Sequence, residues 1–201
     1  MKKIIIAPDS FKETMSNIEV ANIIYECLKA KYPDYEYKVM PVADGGEGSL
    51  NAIMHHNNLN TFKSNNANME LCEVKYGIIN SFGVVEVAEN VGFKYKRDYS
   101  NPGNTTTYGV GEVIKEIYKR GIKKIYICLG GTITNDGGCG MASALGVKFY
   151  DENNKDFIPT GNTLTKISKI DNSNYMKQYN DIKLIGLCDV INPLYGKNGA
   201  S

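Results

Sequence analysis

Between residues 130 and 140 the chain reads Gly-Gly-Thr-Ile-Thr-Asn-Asp-Gly-Gly-Cys-Gly, five glycines in eleven positions with Thr132, Thr134, Asn135 and Asp136 between them. Glycine reaches positive φ and lets a ligand approach the main chain, and short polar side chains hydrogen-bond locally. The preceding run, 124–129, is apolar and β-branched; the following run, 141–145, has helical character and is stopped by Gly146. Strand, glycine-rich turn and helix in that order suit an anion, because helix-start N–H groups lack internal partners. Gly130, Gly131, Thr132, Thr134, Asn135, Asp136, Gly137 and Gly138 are therefore candidate phosphate-binding residues. The alternative is a tight connection in which Asn135 or Asp136 caps the helix. No Walker A pattern occurs, and Gly109-Val110-Gly111 lacks the third glycine of a dinucleotide loop.

Two more polar loops follow predicted strands. Pro8-Asp9-Ser10-Phe11-Lys12 comes after the strand ending at Ala7, and Ala43-Asp44-Gly45-Gly46-Glu47-Gly48-Ser49 after a strand over 35–42. In parallel α/β sheets ligands sit beyond the carboxyl ends of strands, so Asp9, Ser10, Lys12, Asp44 and Glu47 are candidates for one cleft. Each alone also reads as a cap or turn residue. Asp189 stands at the end of a predicted buried strand, 183–188, a suitable place for a general base. Glu86 and Glu89 flank Val87-Ala88; either could face a site, with solvated positions as the default reading. His55 and His56 close a helix and need no catalytic role.

The positioning elements are legible from period and punctuation. Ser16-Asn17-Ile18-Glu19 has capping-box spacing ahead of a helix that Pro33-Asp34 breaks. The opening sixty residues read β-α-β-α, the start of a mostly parallel sheet. Residues 61–69 read as a polar connection, 71–79 and 84–88 as a hairpin, and a domain boundary is expected near 65. Asn101-Pro102-Gly103-Asn104 is a turn before a helix with Val110, Val113, Ile114 and Ile117 on one face, ending at Gly121.

With 201 residues, 42% hydrophobic and 22% charged, the chain has the composition of a globular protein of one large or two small domains. A net charge of +1 gives no reason to expect nucleic acid or an anionic membrane as partner. Five cysteines without a C-x-x-C pair speak against a disulfide framework or zinc site and for a reducing, cytoplasmic setting.

Taken together, Ala7-Pro8-Asp9-Ser10-Phe11-Lys12-Glu13, the run Met40-Pro41-Val42-Ala43-Asp44-Gly45-Gly46-Glu47-Gly48, Glu86-Val87-Ala88-Glu89, Thr106-Thr107-Tyr108-Gly109-Val110-Gly111-Glu112, Gly130-Gly131-Thr132 through Gly138, and Cys188-Asp189-Val190 with Asn192-Pro193-Leu194 resemble the bacterial glycerate kinase family. The resemblance implies a Rossmann-like α/β domain with a second α/β domain inserted in it, here residues 1–64 and 65–201. It implies transfer of the ATP γ-phosphoryl group to D-glycerate, at the 2-hydroxyl in the members most like this chain, with Mg2+ required. On that basis Asp189 is the base, Lys12 adds positive charge, and Asp9, Ser10, Asp44, Gly45, Gly46 and Glu47 face substrate, with Asp44 a candidate metal ligand. The family runs to roughly twice this length, which implies a partial form completed by a C-terminal half or a homo-oligomer. A non-catalytic phosphate- or hydroxy-acid-binding module is the alternative.

Overall fold

The computed structural model describes residues 2–11, 14–97, 101–193 and 195–199. Strands β1 (Lys3–Ile6) and β2 (Glu36–Val39) pair in parallel, joined by helix α1 (Asn17–Lys31). The helix starts where the sequence says it should. Ser16 Oγ accepts from Glu19 N at 3.3 Å, and Glu19 Oε2 accepts from Ser16 N at 2.8 Å, so two otherwise orphaned amides are satisfied. A short helix α2 (Ser49–Ile53) follows β2, starting at Gly48 with φ 89°.

Strands β3 (Asn60–Asn65), β4 (Leu71–Ile79), β5 (Phe82–Glu86), β6 (Lys124–Cys128) and β10 (Lys183–Leu187) form one sheet in the order β10-β6-β5-β4-β3. β10, β6 and β5 run parallel; β4 and β3 are antiparallel additions. The hairpin between Ile79 and Phe82 turns through Asn80, at φ 51°. Helices α3 (Ala88–Val91) and α4 (Tyr108–Lys119) cross from β5 to β6, and α5 (Cys139–Ala144) opens the segment after β6. A small antiparallel sheet of β7 (Lys148–Tyr150), β8 (Asp156–Phe157) and β9 (Lys169–Asp171) precedes α6 (Ser173–Tyr179) and β10. The chain is thus α/β.

Side-chain alternation along β5 assigns the two faces of the sheet. Val85 and Val87 enter the larger core with Val110, Val113, Ile114, Ile117 and Ile127. Val84 points the other way, into a smaller core with Leu50, Met54 and Cys128 beneath α2. Burying an aliphatic side chain of this size is worth about 1.5–3 kcal/mol, so α4 alone accounts for much of the sheet's attachment.

Three expectations are corrected. Residues 60–65 are a strand, not part of a connection, because its polar groups find distant partners: Glu112 Oε2 accepts from Asn65 N at 2.8 Å, and Asn90 Nδ2 donates to Ser64 Oγ at 2.7 Å. Among the described residues β10 is an edge strand bonded to β6 only, and none of its residues is buried. Glu86 is 5% exposed rather than solvated, since alternation after Val84 turns it under α2.

Candidate functional site

Loops from four strand ends meet in a cleft of about 510 Å3, lined among others by Ser10, Asp44, Gly46, Glu47, Gly130, Gly131 and Asp189. Ser10 follows β1, Asp44 to Glu47 follow β2, Gly130 and Gly131 follow β6, and Asp189 follows β10. Cavities of this size accept ligands of nucleotide or small-acid dimensions. A smaller cavity of about 250 Å3 adjoins it, sharing Ser10 and Glu47 and adding Glu86 and Glu89.

The first lip is built by local hydrogen bonds. Asp9 Oδ1 accepts from Ser10 N at 2.7 Å, and Asp44 Oδ1 accepts from Gly46 N at 2.9 Å, so both acids turn their own loops. Asp9, Asp44 and Glu47 are exposed. Gly45, at φ 101°, faces the Leu187 carbonyl: a methyl group there would sit 3.1 Å from that oxygen. The second lip needs glycine for close approach. A methyl on Gly130 would lie 2.8 Å from Gly46 Cα, a distance no side chain tolerates, so the two glycine loops touch backbone to backbone.

Beyond Gly131, Asp136 turns inward while Thr132, Asn135 and Gly137 stay exposed. Asp136 is 1% exposed, and its Oδ2 accepts from Thr107 N at 2.7 Å, Thr107 Oγ1 at 2.8 Å, Gly140 N at 3.1 Å and Thr106 Oγ1 at 3.3 Å. Its Oδ1 takes Gly138 N at 3.0 Å. The carboxylate thereby occupies the start of α5, where a ligand anion would otherwise sit. Thr134 Oγ1 donates to Thr105 O at 3.1 Å, Thr132 bridges to Gly92, and Asn135 packs against Gly161. Gly130 and Gly131 therefore line the cleft, whereas Thr132, Thr134, Asn135, Asp136, Gly137 and Gly138 are not among its lining residues.

Asp189 is exposed at the cleft mouth. Lys12 lies outside the described residues. Among the described residues, the cation lining the cleft is Lys94, paired with Glu89 at 3.3 Å. Sequence reasoning passed over Lys94, and also Phe93 and Leu129, because no local pattern marks them. Among the described residues, no group of three or more His, Cys, Asp or Glu side chains comes together as a metal site. Asp44, Glu47 and Asp189 nevertheless give the cleft hard oxygen donors, and Mg2+ needs only one or two protein carboxylates when phosphates supply the rest. No helix among the described residues is long and apolar enough to cross a membrane.

The chain is similar to known proteins along nearly its whole length. The chain is 37% identical to the glycerate kinase of Bacillus subtilis strain 168 over 204 residues, covering 99% of this chain and 53% of that protein. It is 37% identical to the glycerate 2-kinase of Escherichia coli K12 over 208 residues, covering 99% of this chain and 54% of that protein. The crystal structure of a protein assigned as glycerate kinase 2 from Salmonella typhimurium LT2 matches with TM-score 0.83 and 34% identity, over 99% of this chain and 55% of that one. The chain spans about half the length of the curated relatives it matches. A model of the glycerate kinase family matches residues 4–201, every strand-end loop of the cleft included, and to that family the chain belongs.

Proposed function

We propose that the cleft is the acceptor and phosphate end of an ATP-dependent glycerate kinase site, transferring the γ-phosphoryl group to the 2-hydroxyl of D-glycerate in the cytoplasm. The observation that carries this is the meeting of Ser10, Asp44, Glu47, Gly130, Gly131 and Asp189 around one opening. Phosphoryl transfer asks for positioning and charge neutralisation more than covalent chemistry, which such a set of loops suits. In this reading Asp189 accepts the proton of the attacking hydroxyl, and Ser10 with Glu47 orients the acid. The Gly130 and Gly131 main chain faces phosphate, with Lys12 and Lys94 adding positive charge. Asp44 and Glu47 would hold Mg2+, which supplies neutralisation of the developing phosphate charge.

Residues 1–64 as the first piece of a Rossmann-like domain and 65–201 as an inserted domain remain part of the proposal. The separate β1–β2 pair supports it, while the bonding of β3 to β4 argues for a seam before Asn60. A non-catalytic binder is a second reading, favoured by the neutralisation of Lys94 by Glu89 beside three cleft carboxylates. The test is 31P NMR of the chain with D-glycerate and Mg-ATP, alone and mixed with the remaining portion of a full-length relative. Phosphoglycerate in the complemented sample, lost about 100-fold or more in Asp189→Asn, is expected. Bound glycerate with no product in either sample would leave the binder.

A further inference from the structure

Glu86, at the carboxyl end of β5, is used by none of the steps above, yet it is 5% exposed and grips the cleft from behind. Its Oε1 accepts from Gly48 N at 3.0 Å and its Oε2 from Leu50 N at 2.8 Å. These amides belong to the first turn of α2, whose cap position is a glycine with no side chain to satisfy them. The acceptor therefore comes from another element, 36 residues away from Leu50. What it tethers is the end of the Asp44–Gly48 lip. Asn17 Nδ2 holds the same lip from the other side, donating to Gly48 O at 3.2 Å and Val42 O at 3.0 Å. Across the cleft, Gly46 meets Gly130 with no room for a methyl group between them.

We infer that Glu86 is a positioning residue: by clamping the Gly48 and Leu50 amides it sets the approach of Gly46 to Gly130 and aims the Glu47 side chain into the cleft. Its geometry stands alone; its effect on ligands rests on the kinase reading. The ionised carboxylate offers each amide an unprotonated oxygen, whereas a glutamine turns its NH2 toward one amide and a protonated acid leaves one of them the weaker hydroxyl oxygen. Burial pushes the Glu86 carboxyl above the usual range, against the pull of the two amides, and Glu89 and Glu47 add to the rise. From β6 it faces the Cys128 thiol, itself pushed up to about 12 by burial and so neutral. An anion held against such a bias contributes position rather than stability.

The test is Glu86→Gln in the full chain, read by amide NMR at Gly46, Gly48, Leu50 and Gly130 and by calorimetry with Mg-ATP and with D-glycerate. We expect the Gly46 and Gly130 resonances to shift and ligand affinity to fall about tenfold, the loss expected for a charge-assisted hydrogen bond, with the urea midpoint unchanged or raised. Unmoved Gly46 and Gly130 resonances, or unchanged affinity beside a lowered midpoint, would overturn the assignment. Should the variant not fold, acid titration of the wild-type chain decides. Gly48, Leu50, Gly46 and Gly130 moving together at one pH above the ordinary glutamate range supports the clamp; Gly48 and Leu50 moving alone removes it. If the wild-type chain binds neither ligand, the kinase reading fails while the amide titration still judges the clamp.

Discussion

Along α4, Val110, Val113, Ile114 and Ile117 are at most 1% exposed, whereas on α1 Ile23 and Ile24 are 52% and 37% exposed and Ile5 of the strand beneath is 67% exposed. Both helices connect parallel strands, but α4 has the sharper apolar face and the platforms beneath them differ in width. Strands lie about 4.8 Å apart and a helix with its side chains is about 10–12 Å across, so two strands do not reach past the flanks of a helix, while five do. The cleft lies where the narrow platform and the wide one meet, with β1 and β2 contributing one lip and β6 and β10 the other.

The sharpest way to break that comparison is paired truncation. Ile114→Ala should cost about 3–4 kcal/mol, because a close-packed core cannot collapse onto the cavity, whereas Ile23→Ala should stay within about 0.5 kcal/mol. Urea unfolding of both variants measures this, and similar costs would mean α1 is packed as tightly as α4. Next comes the difference between inward and outward acids. Asp136→Ala strands five donors and should cost about 3 kcal/mol, while Asp44→Ala, with one exposed turn bond, should cost under about 1 kcal/mol. Should Asp136→Ala be as mild as Asp44→Ala, the inward-facing assignment of Asp136 falls.

Gly130→Ala, at φ 154°, is expected to cost about 1–3 kcal/mol and to weaken nucleotide binding by pushing the two lips apart. Thermal unfolding and calorimetry together read the two effects, and a stable variant with full affinity would deny the contact its role. The smallest effect concerns α1. Its Glu19 carboxyl is held below the ordinary value by the Ser16 amide and hydroxyl. A depressed carboxylate contributes stability above its unfolded value and loses it as pH falls through the folded one. The midpoint difference between wild type and Glu19→Gln should therefore shrink on acidification from neutral pH; a constant difference would remove Glu19 from the cap.

Elements whose causes lie within a few residues were legible. The Ser16 box and the apolar face of α4 follow from side-chain type and spacing, and the turn at Asn80 and the stops at Gly121 and Gly146 from residues that accept positive φ. β3 escaped because Ser64 and Asn65 look like loop residues until Asn90 and Glu112 arrive from later in the chain. β10 looked buried because apolar run length cannot distinguish a central strand from an edge.

The candidate site divides in the same way. Composition and order determined which strand ends carry polar and glycine-rich loops, since period and punctuation act over a few residues. Tertiary structure alone decided that Gly130 faces Gly46 and Gly131 faces Glu47 while Asp136 satisfies the start of α5 from inside, and that Glu86 reaches the α2 amides. The reason is physical: a carboxylate's role is set by which donors surround it, and here those donors are supplied by residues up to 38 positions away.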